Sequence, residues 1–250
     1  MSHHDITTET ISFRGAHGDA VAGYLAQPRG RGPFSGVVFL HHMPGWDEWT
    51  REVTRKFADH GYATLTPHLF HRDGPQEDPV ALAARVREAG GVPDDQVLGD
   101  ITGAMAVLRG LPNASGKIAV AGVCSGGRQA YLAAALVPGL DAAVDCWGGR
   151  VVPQQPDDIT EKRHLVGIDL TDRIACPLLG LFGNEDSNPS PAAVDRIEAE
   201  LKRHGKPYEF HRYDGAGHAF FASDRPNYRW QQANDGWRKV FDFLARHLNG

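Results

Sequence analysis

The stretch Lys117-Ile118-Ala119-Val120-Ala121-Gly122-Val123-Cys124-Ser125-Gly126-Gly127 decides the fold. Residues 117–123 form a continuous apolar run, which suits a strand buried on both faces. A helix is expected directly afterwards, over residues 126–136. Between them, Gly122-Val123-Cys124-Ser125-Gly126 has the form of the strand–turn–helix elbow G-x-S-x-G, with cysteine in the serine's place. Such a turn strains the backbone of its central residue, and side chains two positions away on either side would clash, so glycine is required there. The turn lifts the sulfur above the sheet edge and aims a helix N-terminus at it, favouring a thiolate and later an oxyanion. A structural cysteine in a glycine-rich turn would share this local pattern, so the elbow needs support from the rest of the chain.

That support starts with the order of elements. Residues 11–13 and 21–25 read as a hairpin around His17-Gly18-Asp19, to be added antiparallel at one sheet edge. Buried strands are expected at residues 37–40, 62–65, 142–147, 178–182 and 208–213. Helices are expected at residues 47–60, 79–88, 97–108, 191–204 and 228–248, with a turn over 72–78. Strands alternating with helices define an α/β fold, a mostly parallel sheet covered on both faces. Residues 151–172 lack periodicity and are expected to form a loop above the strand ends, where such sheets place their ligands. The whole chain, 1–250, reads as one domain.

Composition narrows the function classes. The chain has 250 residues, a formal net charge of −5, 41% hydrophobic and 23% charged residues, which excludes a disordered chain. The acidic balance gives no footprint for nucleic acid. No apolar run approaches the roughly 20 residues of a membrane helix, and Met1-Ser2-His3-His4-Asp5 lacks the pattern of a secretory leader. The cysteines Cys124, Cys146 and Cys176 are 3 in number and form no C-x-x-C pair, so a reduced, cytoplasmic protein is expected.

Two further features fall where the elbow needs them. Phe182-Gly183-Asn184-Glu185-Asp186 sets a carboxylate at the end of a later strand, and Gly215-Ala216-Gly217-His218 sets an imidazole after the last one. An aspartate after a strand usually caps a turn, and a histidine in a glycine loop is usually solvated. Together, in the order nucleophile, acid, histidine, they match the order of α/β-hydrolases. His218 would activate the thiol, and Asp186 would fix the imidazole tautomer and stabilise its cation.

On these residues, and on the strand-end stretch Pro67-His68-Leu69-Phe70-His71-Arg72, the chain resembles the dienelactone hydrolase (carboxymethylenebutenolidase) family of α/β-hydrolases from about residue 37 to 248. The resemblance implies a Cys124–His218–Asp186 triad, an oxyanion hole from the N–H groups of Ser125 and Met43, and Arg72 as holder of a substrate carboxylate. It also exposes two departures. The family's best-known members carry a glutamate at the place of His42 that helps switch the cysteine to thiolate. Here His42 would either act as a second base or donor or line the pocket, unless Asp47 or Glu48 reaches inward. The family's second substrate arginine is replaced by Ala222, with Arg225 nearby in sequence.

Trp46, Trp49, Phe70 and Phe221 are candidates for an apolar pocket or for core packing, and Trp46 is taken with Arg72 and His42 as substrate-binding. No functional metal and no cofactor is expected, even with His41, His42, His68 and His71 in the chain. The expected function is cysteine-dependent hydrolysis of a small-molecule ester or lactone, by a monomer or homodimer with no nucleic-acid or membrane partner. Two other readings fit the same residues: a redox-active thiol protein, and a non-catalytic binder of small acidic ligands.

Overall fold

The computed structural model describes residues 4–74 and 78–249, so part of the expected 72–78 turn lies outside the described residues. The first two strands, β1 (Ile6–Arg14) and β2 (Ala20–Pro28), pair antiparallel as the edge hairpin. β3 (Phe34–Leu40), β4 (Ala63–Pro67), β5 (Ala114–Val123), β6 (Ala142–Cys146), β7 (Leu178–Gly183) and β8 (Tyr208–Tyr213) complete the sheet. Its order is β1-β2-β4-β3-β5-β6-β7-β8, with β2 antiparallel to β4 and every later pairing parallel. The helices are α1 (Glu48–Asp59), α2 (Pro79–Glu88), α3 (Asp94–Arg109), α4 (Ser125–Leu136), α5 (Pro191–Arg203) and α6 (Trp230–Leu248).

Period-2 alternation builds two cores from one strand. In β3, Val38 and Leu40 face a core shared with Ile101 of α3 and Tyr131 of α4. Val37 and Phe39 face the opposite core, shared with Phe57 of α1 and Phe241 of α6. This is the two-sided burial that the continuous apolar runs predict. Caps set several boundaries: the Asp47 carboxylate accepts the Thr50 N–H at the start of α1, and the Ser190 hydroxyl accepts the Ala193 N–H before Pro191 opens α5.

Several elements run longer than their apolar pattern predicts, β1 and α3 among them. β1 begins at Ile6 because its Thr7, Thr8, Glu9 and Thr10 lie exposed along the sheet edge, where no apolar alternation is needed. α3 begins at Asp94, whose buried carboxylate is paired with Arg128 instead of facing solvent.

The strand order places the functional crevice. From β3 the chain crosses to β4 on one side, then returns through α2 and α3 to β5 on the other. At that reversal the C-terminal ends of β3 and β5 lie side by side, Leu40 opposite Gly122.

Arg72, expected to hold a substrate carboxylate, makes its contacts within the scaffold. It sits in a 3₁₀ turn (His71–Asp73) after β4. Its Nη1 donates to Asp100 Oδ2 at 2.9 Å, Nη2 to Asp100 Oδ1 at 3.1 Å, and Nε to Asp19 at 2.7 Å. Asp100, on α3, is fully buried and also accepts the Ala16 N–H of the hairpin turn. Arg72 therefore ties the edge hairpin to α3. We predict that Arg72→Ala, by stranding the Asp100 charge, lowers unfolding free energy by about 3 kcal/mol. Urea denaturation reads this, and adding Asp100→Asn recovers part of the loss; equal stability of Arg72→Ala and wild type would refute the clamp.

Candidate active site

The elbow is held by backbone contact. Cys124 has φ 55° and ψ −120°, a left-handed conformation costly for a side-chain-bearing residue. A Cβ on Gly122 would lie 1.9 Å from the Gly126 carbonyl oxygen, and one on Gly126 2.2 Å from the Leu40 carbonyl oxygen. Neither position admits a side chain. With the turn so fixed, Cys124 precedes α4 and its sulfur meets the N-terminal end of that helix.

Asp186 follows β7 and His218 follows β8, and the two meet across the sheet end. His218 Nδ1 donates to Asp186 Oδ2 at 2.8 Å, while Asp186 Oδ1 accepts the Asn188 N–H at 2.9 Å. The carboxylate is buried and the imidazole about a third exposed. With Nδ1 engaged, Nε2 is the ring nitrogen left for the Cys124 sulfur, which borders the same cavity. The N–H groups of Ser125 and Met43 stabilise the charged form of the same sulfur.

These contacts set the charges. Burial alone would raise the thiol pKa, but the His218 hydrogen bond and charge, with the two amides, bring it below its ordinary value. Burial likewise works against the imidazolium. The hydrogen bonds and charges of Asp186 and Cys124 overcome it and raise His218 to about 10. The resting pair therefore leans towards thiolate and imidazolium.

Cys124, Ser125, Met43, Asp186 and His218 all border one cavity of about 230 Å³. Apolar Leu69, Phe70 and Val92 line it together with Arg128, Arg150, Arg163 and Asn188.

The other expected substrate residues lie elsewhere. β3 ends at Leu40, and past it the alternation breaks. His41 turns to the cavity beside Phe70, with ring centroids 4.8 Å apart. Its Nδ1 donates to the His42 carbonyl, its Nε2 accepts the Leu69 N–H, and burial pushes its pKa down to about 3, so it is neutral. His42 turns the other way, towards Trp49, and bonds Asp47 Oδ2 at 2.7 Å. Burial opposes the Asp47 charge, but the His42 hydrogen bond prevails and holds its pKa at about 2. Asp47 thus reaches inward as far as His42. Trp46 is buried against His68, stacked at 5.2 Å, and Arg225 approaches Asp47 at 3.7 Å. None of His42, Trp46, Arg72 and Arg225 borders the cavity.

Composition and spacing do not reveal the arginines that do. Arg128 is buried on α4, with both terminal nitrogens on Asp94 at 2.6 and 3.1 Å. Arg150 and Arg163 flank or belong to the 151–172 stretch, and only the expectation that this loop lies above the strand ends could have brought them forward.

The chain matches the model of the Dienelactone hydrolase family over residues 21–248. A Methylorubrum extorquens protein named "Putative carboxymethylenebutenolidase" is 33% identical over 229 residues, 91% of this chain and 77% of its own length. A Bradyrhizobium protein named "Probable 2-oxo-3-(5-oxofuran-2-ylidene)propanoate lactonase" is 27% identical, covering 98% of both chains. Among solved structures, that of a Klebsiella pneumoniae protein described as a "Putative Dienelactone Hydrolase" superposes with TM-score 0.87 at 28% identity, covering 96% of this chain and 99% of the other. With a match running from the second strand to the last helix, the chain belongs to the dienelactone hydrolase family.

Proposed function

We propose that the protein is a hydrolase of the carboxymethylenebutenolidase class, a single α/β-hydrolase domain that opens small lactones or activated esters through Cys124, His218 and Asp186. The observation that carries this reading is the convergence of one imidazole and two backbone amides on the Cys124 sulfur, with a buried carboxylate behind the imidazole.

The thiolate attacks the ester carbonyl carbon, and the carbonyl oxygen becomes an oxyanion held by the N–H groups of Ser125 and Met43. The intermediate collapses by breaking the carbon–oxygen bond to the leaving group, which takes the proton of the His218 imidazolium. Acyl transfer to sulfur removes the thiolate that helped raise the imidazole pKa, so His218 is then neutral and competent as a base. It takes a proton from water, whose oxygen attacks the thioester. The second oxyanion collapses with loss of the thiolate, giving the carboxylic acid and restoring the ion pair. Asp186 holds the tautomer throughout.

A thiolate leaves more readily than an alkoxide, so in the first intermediate a poor leaving group would lose to sulfur. Enol lactones and aryl esters, which release stabilised anions, therefore suit the site better than amides. A thiol-redox role finds less support, because Cys146 and Cys176 are buried and burial raises both pKa values, Cys176 to about 12.

Two predictions follow from the ion pair and its geometry. Cys124→Ala lowers kcat/KM for p-nitrophenyl acetate and for enol lactones by about 10⁴-fold, and His218→Ala by about 10²- to 10⁴-fold. Steady-state kinetics check this, and undiminished turnover in Cys124→Ala would refute it. The second prediction concerns pH. Iodoacetamide alkylation of Cys124 reaches half its maximum below the ordinary thiol value of about 8.5, and His218→Ala moves the midpoint upward. The sign follows from the pair: protonating the thiolate at low pH destroys it, and a midpoint at the free-thiol value would contradict it.

A further inference from the structure

The cavity holds three guanidinium groups whose charges are not equally compensated. Arg128 is paired with Asp94. Arg150 is paired through Nε with Asp158 at 2.7 Å. Asp186, the acid that borders the cavity, is engaged by His218. Arg163 has no hydrogen bond or ion pair to its guanidinium among the described residues, and its Nε is buried without an acceptor. A buried donor left unsatisfied is costly, and more so when it is charged.

Its placement is built, because the backbone around it is anchored on both sides. The Arg163 N–H donates to Thr160 Oγ1 at 3.0 Å, and Thr160 Oγ1 donates to the Gly90 carbonyl at 2.9 Å. Two residues on, the Leu165 N–H donates to Asp94 Oδ2 at 2.9 Å. The side chain lies across Gly91, where a Cβ would come within 2.8 Å of Arg163 Cδ and where φ is +95°. Gly91 thus leaves the space that the arginine stem fills. Burial, then the charges of Arg150 and Arg128, lower the Arg163 pKa, and Asp158 and Asp94, each paired with another arginine, offset this only in part.

We propose that Arg163 is the specificity-determining cation of the cavity and receives a carboxylate of the substrate while Cys124 engages its ester carbonyl. A guanidinium offers a planar fork of donors matched to a carboxylate, and the partly apolar lining of Leu69, Phe70 and Val92 strengthens the pairing. This takes over the role that the family resemblance assigns to Arg72, whose donors are spent on Asp100 and Asp19. The inference rests on the ester-hydrolase reading of the same site, and it selects anionic lactones and esters over neutral ones.

The test compares anionic and neutral reagents of similar size at one pH. Cys124 is alkylated with iodoacetate and with iodoacetamide in wild type, Arg163→Gln, Arg163→Lys and Arg163→Glu. The neutral reagent normalises for thiolate content, and Cys146 and Cys176 are buried. The iodoacetate-to-iodoacetamide rate ratio falls by about tenfold in Arg163→Gln, falls further in Arg163→Glu, and is kept only in part in Arg163→Lys, which retains the charge without the fork. In hydrolysis, the kcat/KM ratio of p-nitrophenyl hemisuccinate to p-nitrophenyl acetate falls by about 10- to 100-fold in Arg163→Gln. Ratios equal to wild type in Arg163→Gln and Arg163→Glu would overturn the proposal. Ester turnover with unmoved ratios removes the anion site alone. Charge-selective alkylation that depends on Arg163, with neither ester turned over, removes the hydrolase reading and leaves the anion site standing.

Discussion

Helix α4 enters the layer above the sheet with Gly126 pressed on the Leu40 carbonyl, and the Gly126 carbonyl in turn sits against Gly122. These approaches bring the end of β3 beside the elbow after β5. The Met43 N–H, from the loop after β3, can then point at the same sulfur as the Ser125 N–H from α4. Every later feature of the site depends on that junction. The left-handed backbone at Cys124 persists because the packing around it leaves no alternative. The same scheme recurs at Gly183, where a Cβ would lie 2.2 Å from the Ala216 carbonyl, so that the loops carrying Asp186 and His218 close on each other.

Charge is handled differently on the two sides of the sulfur. Towards β7 and β8, Asp186 and Cys124 both stabilise the His218 cation, and burial is outweighed. Towards β3, the histidines are kept from that role. His41 is neutral with both ring nitrogens committed to backbone groups, and His42 is bound to Asp47 outside the cavity. Of the histidines that border the cavity among the described residues, His218 alone keeps a ring nitrogen free of backbone and carboxylate partners. Beyond it, Arg163 extends the positive field into the space a substrate would fill.

The sheet is legible in the sequence because its central strands are buried on both faces and read as unbroken apolar runs, as at Val37-Val38-Phe39-Leu40. The elbow is legible because it imposes glycine at fixed spacing. Asp186 and His218 stand out because each ends a strand in the order the elbow requires. What the sequence hides is the partner of each charge. Arg72 looks free until the fold brings Asp100 and Asp19 to it, 28 and 53 residues away. Arg163 looks like one charge in an aperiodic loop until Asp94 and Asp158 are found with other partners. The exchange of His41 and His42 turns on where β3 stops, which alternation alone does not fix.

The central claim is a covalent bond between Cys124 and the acyl group. Reaction with p-nitrophenyl acetate, acid quench and intact-mass analysis under denaturing conditions tests it most directly, with His218→Ala included to slow deacylation. The account predicts a single acetyl group, located on Cys124 by peptide mapping, labile to neutral hydroxylamine and absent in Cys124→Ala. An acetyl group on another residue, or turnover that persists in Cys124→Ala, would contradict it.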